Sequence, residues 1–246
     1  MSANGSDDTT LDFPTYAQMT QTNTWVTGPT RHVVPTVNAP SVSPTARYAE
    51  TALLGEGGMG KVVLAHDARI GREIALKELR ADRDLGPAER ERFLREARVQ
   101  GQLEHPSIVP VYDIDRRTDG TVFFTMRRVL GRTLHTVIED LATGEPAAVA
   151  RYTQRELLTA FATICLTIDY AHMRGVIHRD LKPANIMLGD FGEVYVLDWG
   201  LARLVDEIEP EAAVASRLST PGMLMGTPQY MAPEQMEDST VGPSAD

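Results

Sequence analysis

The densest chemistry in the sequence lies in His178-Arg-Asp-Leu-Lys-Pro-Ala-Asn185. An acid, a lysine and an amide share a short turn between the apolar runs 170–177 and 186–188. Asp180 can accept a proton from a hydroxyl, and Lys182 can neutralise a transferring phosphate. Asn185 offers an amide oxygen to a hard cation such as Mg²⁺. A second carboxylate follows in Asp198-Trp-Gly200, directly after the apolar run 194–197. Two oxygen ligands at strand ends, with one base and one lysine, suit a metal-bound polyphosphate. A His-Arg-Asp triplet alone arises by chance in a chain this long at a rate on the order of a few per cent and means little by itself, so the upstream residues carry the decision.

The elements that must position these groups begin near Tyr48. A strand at 50–54 runs into Gly55-Glu-Gly57-Gly-Met-Gly60-Lys-Val62, which fits G-x-G-x-x-G-x-V. Glycines allow close backbone approach to phosphates. A dinucleotide-binding fold uses similar glycines, but there a helix follows the last one. Here the β-branched, apolar run 61–65 predicts a strand, so the glycines sit on a hairpin lid. The next strand, 73–79, alternates: Ile74, Leu76 and Glu78 on one face, Ala75, Lys77 and Leu79 on the other. Lys77 thus shares a face with small Ala75 beneath the lid. Gly86-Pro87 opens a helix with Pro in its first turn. Phe93, Ala97 and Gln100 mark its inward side. Most of its charges form a solvated face; Glu96, beside Ala97, is the one placed to reach Lys77. Two more strands are expected at 107–115 and 121–128, around the turn Thr118-Asp-Gly120.

Composition bounds the reading. The chain has 246 residues, with 42% hydrophobic and 24% charged residues, values of a soluble globular protein. A net charge of −10 argues against nucleic acid as a partner. The single cysteine, Cys165, excludes an internal disulfide and fits a reducing compartment. No apolar run approaches the ~20 residues of a membrane span. The N-terminus has no basic-then-apolar signal pattern. The expected location is therefore cytoplasmic. Residues 1–47 are rich in Thr, Pro, Ser and Asn and lack periodicity, which predicts a disordered tail.

In order, the glycine loop, the strand lysine, the helix glutamate, the His-Arg-Asp loop and the Asp-x-Gly triplet resemble the eukaryotic-type protein kinases, in particular bacterial Ser/Thr kinases. The resemblance covers 48–246. It implies an α+β, bilobal protein-kinase-like fold: a β-rich small lobe with one helix over 48–129, and a mainly helical large lobe over 130–246. It implies ATP and Mg²⁺ as cofactors and protein Ser/Thr hydroxyls as acceptors. By the same resemblance Gly55, Gly57 and Gly60 cover the phosphates, while Val62, Ala75 and Met187 sandwich the adenine. Lys77 contacts phosphates and pairs with Glu96. Met126 is the gatekeeper, and Val129 belongs to a hinge that carries the unusual pair Arg127-Arg128. Asp180 takes the hydroxyl proton, Lys182 steadies the γ-phosphate, and Asn185 and Asp198 hold Mg²⁺. Asp190-Phe-Gly192 spells the familiar metal triplet but falls too early, in a turn between two short strands. Trp199 replaces the usual Phe, and Gln100 is polar where the neighbouring stack is commonly apolar.

A capping box at Thr153-Gln-Arg-Glu156 predicts a long helix with Leu157, Phe161, Ile164, Cys165, Ile168 and His172 on its buried face. Cys165, His172 and His178 are expected to be packing residues. Ser216, Ser219 and Thr220 are candidate phosphosites that Arg179 could engage; Thr227 is read as structural. The family continues well past Ala-Pro-Glu, so the resemblance implies a C-terminally truncated member whose Glu234 and Asp246 would lack their settings. Two functions follow: a Ser/Thr protein kinase, or an inactive fragment that binds nucleotide or a partner kinase.

Overall fold

The computed structural model describes residues 47–57, 60–80, 86–204, 228–237 and 241–246. Residues 1–46 of the predicted tail, Ser216, Ser219, Thr220 and Thr227 lie outside the described residues. The small lobe is an antiparallel sheet of β1 (Tyr48–Glu56), β2 (Gly60–Asp67), β3 (Arg72–Leu79), β4 (Val111–Arg116) and β5 (Val122–Arg127), in the order β1-β2-β3-β5-β4. The alternation in β3 sorts its side chains. Ile74 and Leu76 pack with Val63, Ala65 and Phe123 on the outer face. Leu79 packs with Phe93, Ala97, Val122 and Phe124 beneath α1 (Pro87–Gln102). On the outer face, buried Glu78 receives both Lys61, at 2.8 Å, and Arg117, at 2.5 Å. Two cations on one carboxylate offset its desolvation.

The strand expected over 107–115 begins only at Val111. Pro106 and Pro110 have no N–H to give a ladder, and the stretch between them turns to the large lobe instead. Ile108 forms a parallel bridge with Val196, and the Val196 N–H donates to the Ser107 carbonyl at 2.8 Å.

The large lobe contains β6 (Arg132–Thr133), α2 (Leu134–Thr143), α3 (Pro146–Arg151), α4 (Gln154–Met173), β7 (Val176–Ile177), β8 (Ile186–Leu188), β9 (Val194–Val196), β10 (Arg203–Leu204) and α5 (Pro233–Glu237). Strands β6, β8 and β9 form one small sheet, and β10 pairs with β7. Gly131 permits the first pairing: a Cβ there would lie 2.1 Å from the Leu188 carbonyl oxygen. The capping box of α4 forms as expected, with Thr153 Oγ1 accepting from Glu156 N–H and Glu156 accepting from Thr153 N–H. α3 was not expected. It starts on Pro146, with Glu145 accepting from Ala148 N–H. None of the described helices is long and apolar enough to cross a membrane.

The buried face of α4 is a correction. Ala160, Thr167, Ile168 and Ala171 are buried, whereas Phe161 is 63% exposed and Cys165 is exposed too. His172 is partly buried and bonds to Asp246. The helix is apolar on more than one side, so periodicity could not choose the face that packs. Leu158, Leu166 and Met173 join Phe161 among the exposed residues.

One core spans both lobes. Val99 of α1 and Leu103, just after it, pack with Ile108, Val137, Ile168, Ile186, Val196 and Trp199. Trp199 is 1% exposed, and Phe191 is 94% exposed on the β8–β9 turn. The two aromatic triplets therefore predict opposite responses. Trp199→Ala should cost ~3–5 kcal/mol of stability. Phe191→Ala should stay within about 0.5 kcal/mol of the parent. Urea unfolding of both variants checks this.

Candidate active site

A cleft of 320 Å³ opens between the lobes. It is lined by Gly55, Gly57, Gly60, Val62, Lys77, Glu96, Gln100, Val109, Met126, Asn185, Leu197 and Asp198, among others. A larger cavity of 440 Å³ lies where α4 begins, against the β8–β9 turn, but none of the predicted site residues lines it. Chemistry rather than size picks out the smaller one. Gly60 needs its lack of a side chain, since a Cβ would stand 2.6 Å from the Glu78 carbonyl oxygen. Of the residues expected around an adenine, Val62 and Met126 line the cleft. Ala75, Val129 and Met187 are buried, with Met187 and Val129 packed against Met126 and Leu197. Gln100 was singled out for its polarity; the cleft positions of Val109 and Leu197 have no signal in the sequence beyond apolarity.

β3 and α1 bring Lys77 Nζ to 2.5 Å from Glu96 Oε1 and 3.9 Å from Asp198 Oδ1. Burial works against the Lys77 charge, but Glu96 and Asp198 outweigh it and hold the ammonium above its ordinary range. Burial pushes the Glu96 carboxyl up, with the Lys77 ammonium opposing it. Partial burial acts against the charge of Asp198, whose side chain is half exposed, yet the Lys77 ammonium prevails and keeps that carboxyl below the usual range. Asp198 thus stays an anion facing the cleft.

β7, β8 and the 3-10 turn Pro183–Asn185 present the second half of the site. Asp180 Oδ2 accepts from Lys182 Nζ at 2.7 Å and from Asn185 Nδ2 at 3.0 Å. Asn185 Nδ2 also donates to the Asp180 carbonyl at 2.8 Å. With its amide hydrogens engaged, Asn185 keeps its carbonyl oxygen as a ligand atom. Among the described residues no group of three or more His, Cys, Asp or Glu could hold a metal by itself. Asn185 and Asp198 supply two oxygens, which suits Mg²⁺, an ion that keeps water and phosphate in its shell.

Two residues of the site have left-handed backbones without being glycine: Arg179, with φ 65°, and Asp198, with φ 60°. Such conformations persist where neighbours over-determine them. Asp246 accepts from His178 N–H at 2.6 Å and from Arg179 N–H at 2.7 Å, and its Oδ2 also bonds His172 Nε2. It therefore has its setting, contrary to expectation. Arg179 Nε donates to the Leu201 carbonyl at 2.7 Å, and Gln235 Nε2 donates to the Arg179 carbonyl at 2.9 Å. Glu234, on α5, is exposed.

His178 is buried against Trp199, with ring centroids 4.7 Å apart. Its Nδ1 accepts from Asp180 N–H at 3.3 Å, which leaves Nε2–H to donate to the Leu197 carbonyl at 3.0 Å. The bond accepted at Nδ1 requires the neutral ring, and burial lowers its pKa accordingly. A base held below its unfolded value of about 6.5 binds fewer protons when folded. Its contribution is present above that value and is lost as pH falls toward the folded pKa. Unfolding free energy should therefore drop on acidification below about pH 6.5, by at most about 1.4 kcal/mol per pH unit from this group. In urea titrations at several pH values, His178→Gln should show a shallower loss.

This geometry has close relatives by sequence. Residues 48–246 match the family described as protein kinase domain. The serine/threonine-protein kinase PknD of Chlamydia pneumoniae is 41% identical over 211 residues, covering 81% of this chain and 22% of that protein. PknD of Chlamydia trachomatis serovar D is 42% identical over 208 residues, 77% of this chain and 22% of that protein. PknD of Chlamydia caviae is 39% identical over 213 residues, 81% and 23% of the two chains. The chain thus spans under a quarter of the length of these relatives. With the family match over most of its length, and a glycine-lidded cleft holding its lysine, carboxylates and amide together, the chain belongs to the protein kinase domain family.

Proposed function

We propose that the chain is a serine/threonine protein kinase, transferring the γ-phosphoryl group of ATP to protein Ser or Thr hydroxyls. The observation that carries this is convergence. Lys77, Glu96, Asn185 and Asp198 come from distant stretches of the chain yet line one cleft, and Asp180 bonds to the Asn185 among them. Phosphoryl transfer needs positioning and charge neutralisation more than covalent participation by the protein. Lys77, held charged by Glu96, supplies a fixed cation for the phosphates. Asn185 and Asp198 would hold Mg²⁺, which adds further positive charge there. Asp180 orients the acceptor hydroxyl and takes its proton, and Lys182, 2.7 Å from that carboxylate, neutralises the transferring group. The lysine at this place supports Ser/Thr over Tyr acceptors, as do the names of the relatives. A cytoplasmic location, where ATP is abundant, fits the activity.

A second reading is that the chain binds nucleotide or a partner kinase without turnover. The exposed Leu158, Phe161, Leu166 and Met173 on α4 favour a protein partner. Transfer of labelled γ-phosphate to a protein substrate separates the two. Under the first reading, Asp180→Asn lowers transfer by about 10²–10⁴-fold, while the affinity for a fluorescent ATP analogue changes little. Equal transfer by the two proteins, with nucleotide still bound, establishes the second reading. Acid hydrolysis of the product should release phosphoserine or phosphothreonine; phosphotyrosine alone would overturn the acceptor assignment. Chelating divalent cations should abolish transfer, and excess Mg²⁺ should restore it.

A further inference from the structure

α1 buries an uncharged amide beside its apolar residues. The buried residues of this helix are Phe93, Glu96, Ala97, Val99 and Gln100. Glu96 has its lysine. Gln100, one turn further on, is 4% exposed and lines the cleft. Its Nε2 donates to the Val109 carbonyl at 2.7 Å. An unbonded amide at this depth would be costly, so the bond is a condition of burying it.

The acceptor belongs to the stretch that leaves the small-lobe sheet. Next to Val109, Ile108 is bridged to Val196 of β9, and Ser107 accepts from the Val196 N–H. Val196 stands two residues before Asp198 in the chain. A short path therefore runs from Glu96 along one helical turn to Gln100, across to Val109, and through β9 to Asp198. The first turn of α1 has no side-chain cap bond. Packing through Phe93, Ala97 and Val99 is non-directional and would tolerate sliding or rotation of the helix. A hydrogen bond is directional. On α1, the Gln100 amide bond supplies that directionality from the large-lobe side.

We propose that Gln100 is a positioning residue. It sets the rotation of α1 relative to β9, so that Glu96 and Asp198 reach Lys77 together. The role in phosphoryl transfer rests on the kinase reading above. The bland alternative is that Gln100 is merely a satisfied core amide, in which case its loss affects stability alone.

The test compares the whole chain with Gln100→Met, which keeps the length and loses the donor. Thermal midpoint, amide hydrogen exchange along α1, and kcat and KM for ATP are measured. A positioning role predicts faster exchange in α1 and a fall in kcat of about tenfold. KM for ATP should stay within about twofold, and the thermal midpoint should be nearly unchanged. Unaltered α1 exchange and kcat, whatever the midpoint, would overturn the proposal. If the parent chain transfers no more phosphate than Asp180→Asn, the kinase reading fails by itself. The exchange data then decide the structural part: faster α1 exchange at an equal midpoint supports it, and equal exchange ends it. Should Gln100→Met not fold, Gln100→Leu makes the same comparison, since it is apolar, smaller and has no donor.

Discussion

A lysine and a glutamate taken out of water together impose the strictest demand on this structure. Glu96 is buried and Lys77 largely so, and their contact is 2.5 Å. Each would be costly to bury alone, and each is tolerable because the other is there. One stands on β3 and the other on α1, so the helix must hold its place over the sheet to within a fraction of an ångström. Asp198 then brings the large lobe into the same balance of charge, 3.9 Å from the same ammonium. A cleft with a fixed cation on one wall and a persistent anion on the other results from these three groups.

The hydrophobic core is laid out to serve that demand. α1 does not belong to the small lobe alone. Phe93 and Ala97 pack on the sheet, while Val99 and Leu103 pack with Trp199, Ile108 and Val196. Trp199 follows Asp198 directly, so burying the indole anchors the carboxylate beside it. The same indole lies against His178, whose neutral ring joins the Asp180 amide to the Leu197 carbonyl. The two halves of the site are thus tied through one buried aromatic contact.

Strain is confined to where chemistry is expected. Among the described non-glycine residues, Arg179 and Asp198 have positive φ, and each adjoins or bears a site carboxylate. Hydrogen bonds to Asp246 and the Leu201 carbonyl, and one donated by Gln235, hold the Arg179 region. Arg128, at the end of the small lobe, is clasped to Glu73, and Arg127 lies over the Tyr195 ring. Both arginines are therefore engaged with protein side chains.

Much of this was legible in the residues alone. Alternation in β3 placed Lys77 on the cleft side, because a strand has a period of two and no freedom to choose otherwise. Spacing along α1 singled out Glu96, and the apolar run before Asp198 distinguished it from Asp190, which the fold leaves on an exposed turn. Other features were decided by tertiary contacts. The face of α4 that packs could not be read from a helix apolar on several sides, so Cys165 and Phe161 turned outward. The stretch 107–110 looked like a strand by composition, but its prolines and the bond to Val196 assign it to the large lobe. The anchoring of Asp246 on two backbone amides depends on a close approach between stretches far apart in the chain. Local patterns determine which way a side chain leaves its own element; which neighbour it meets is set by packing, and packing is a property of the whole chain.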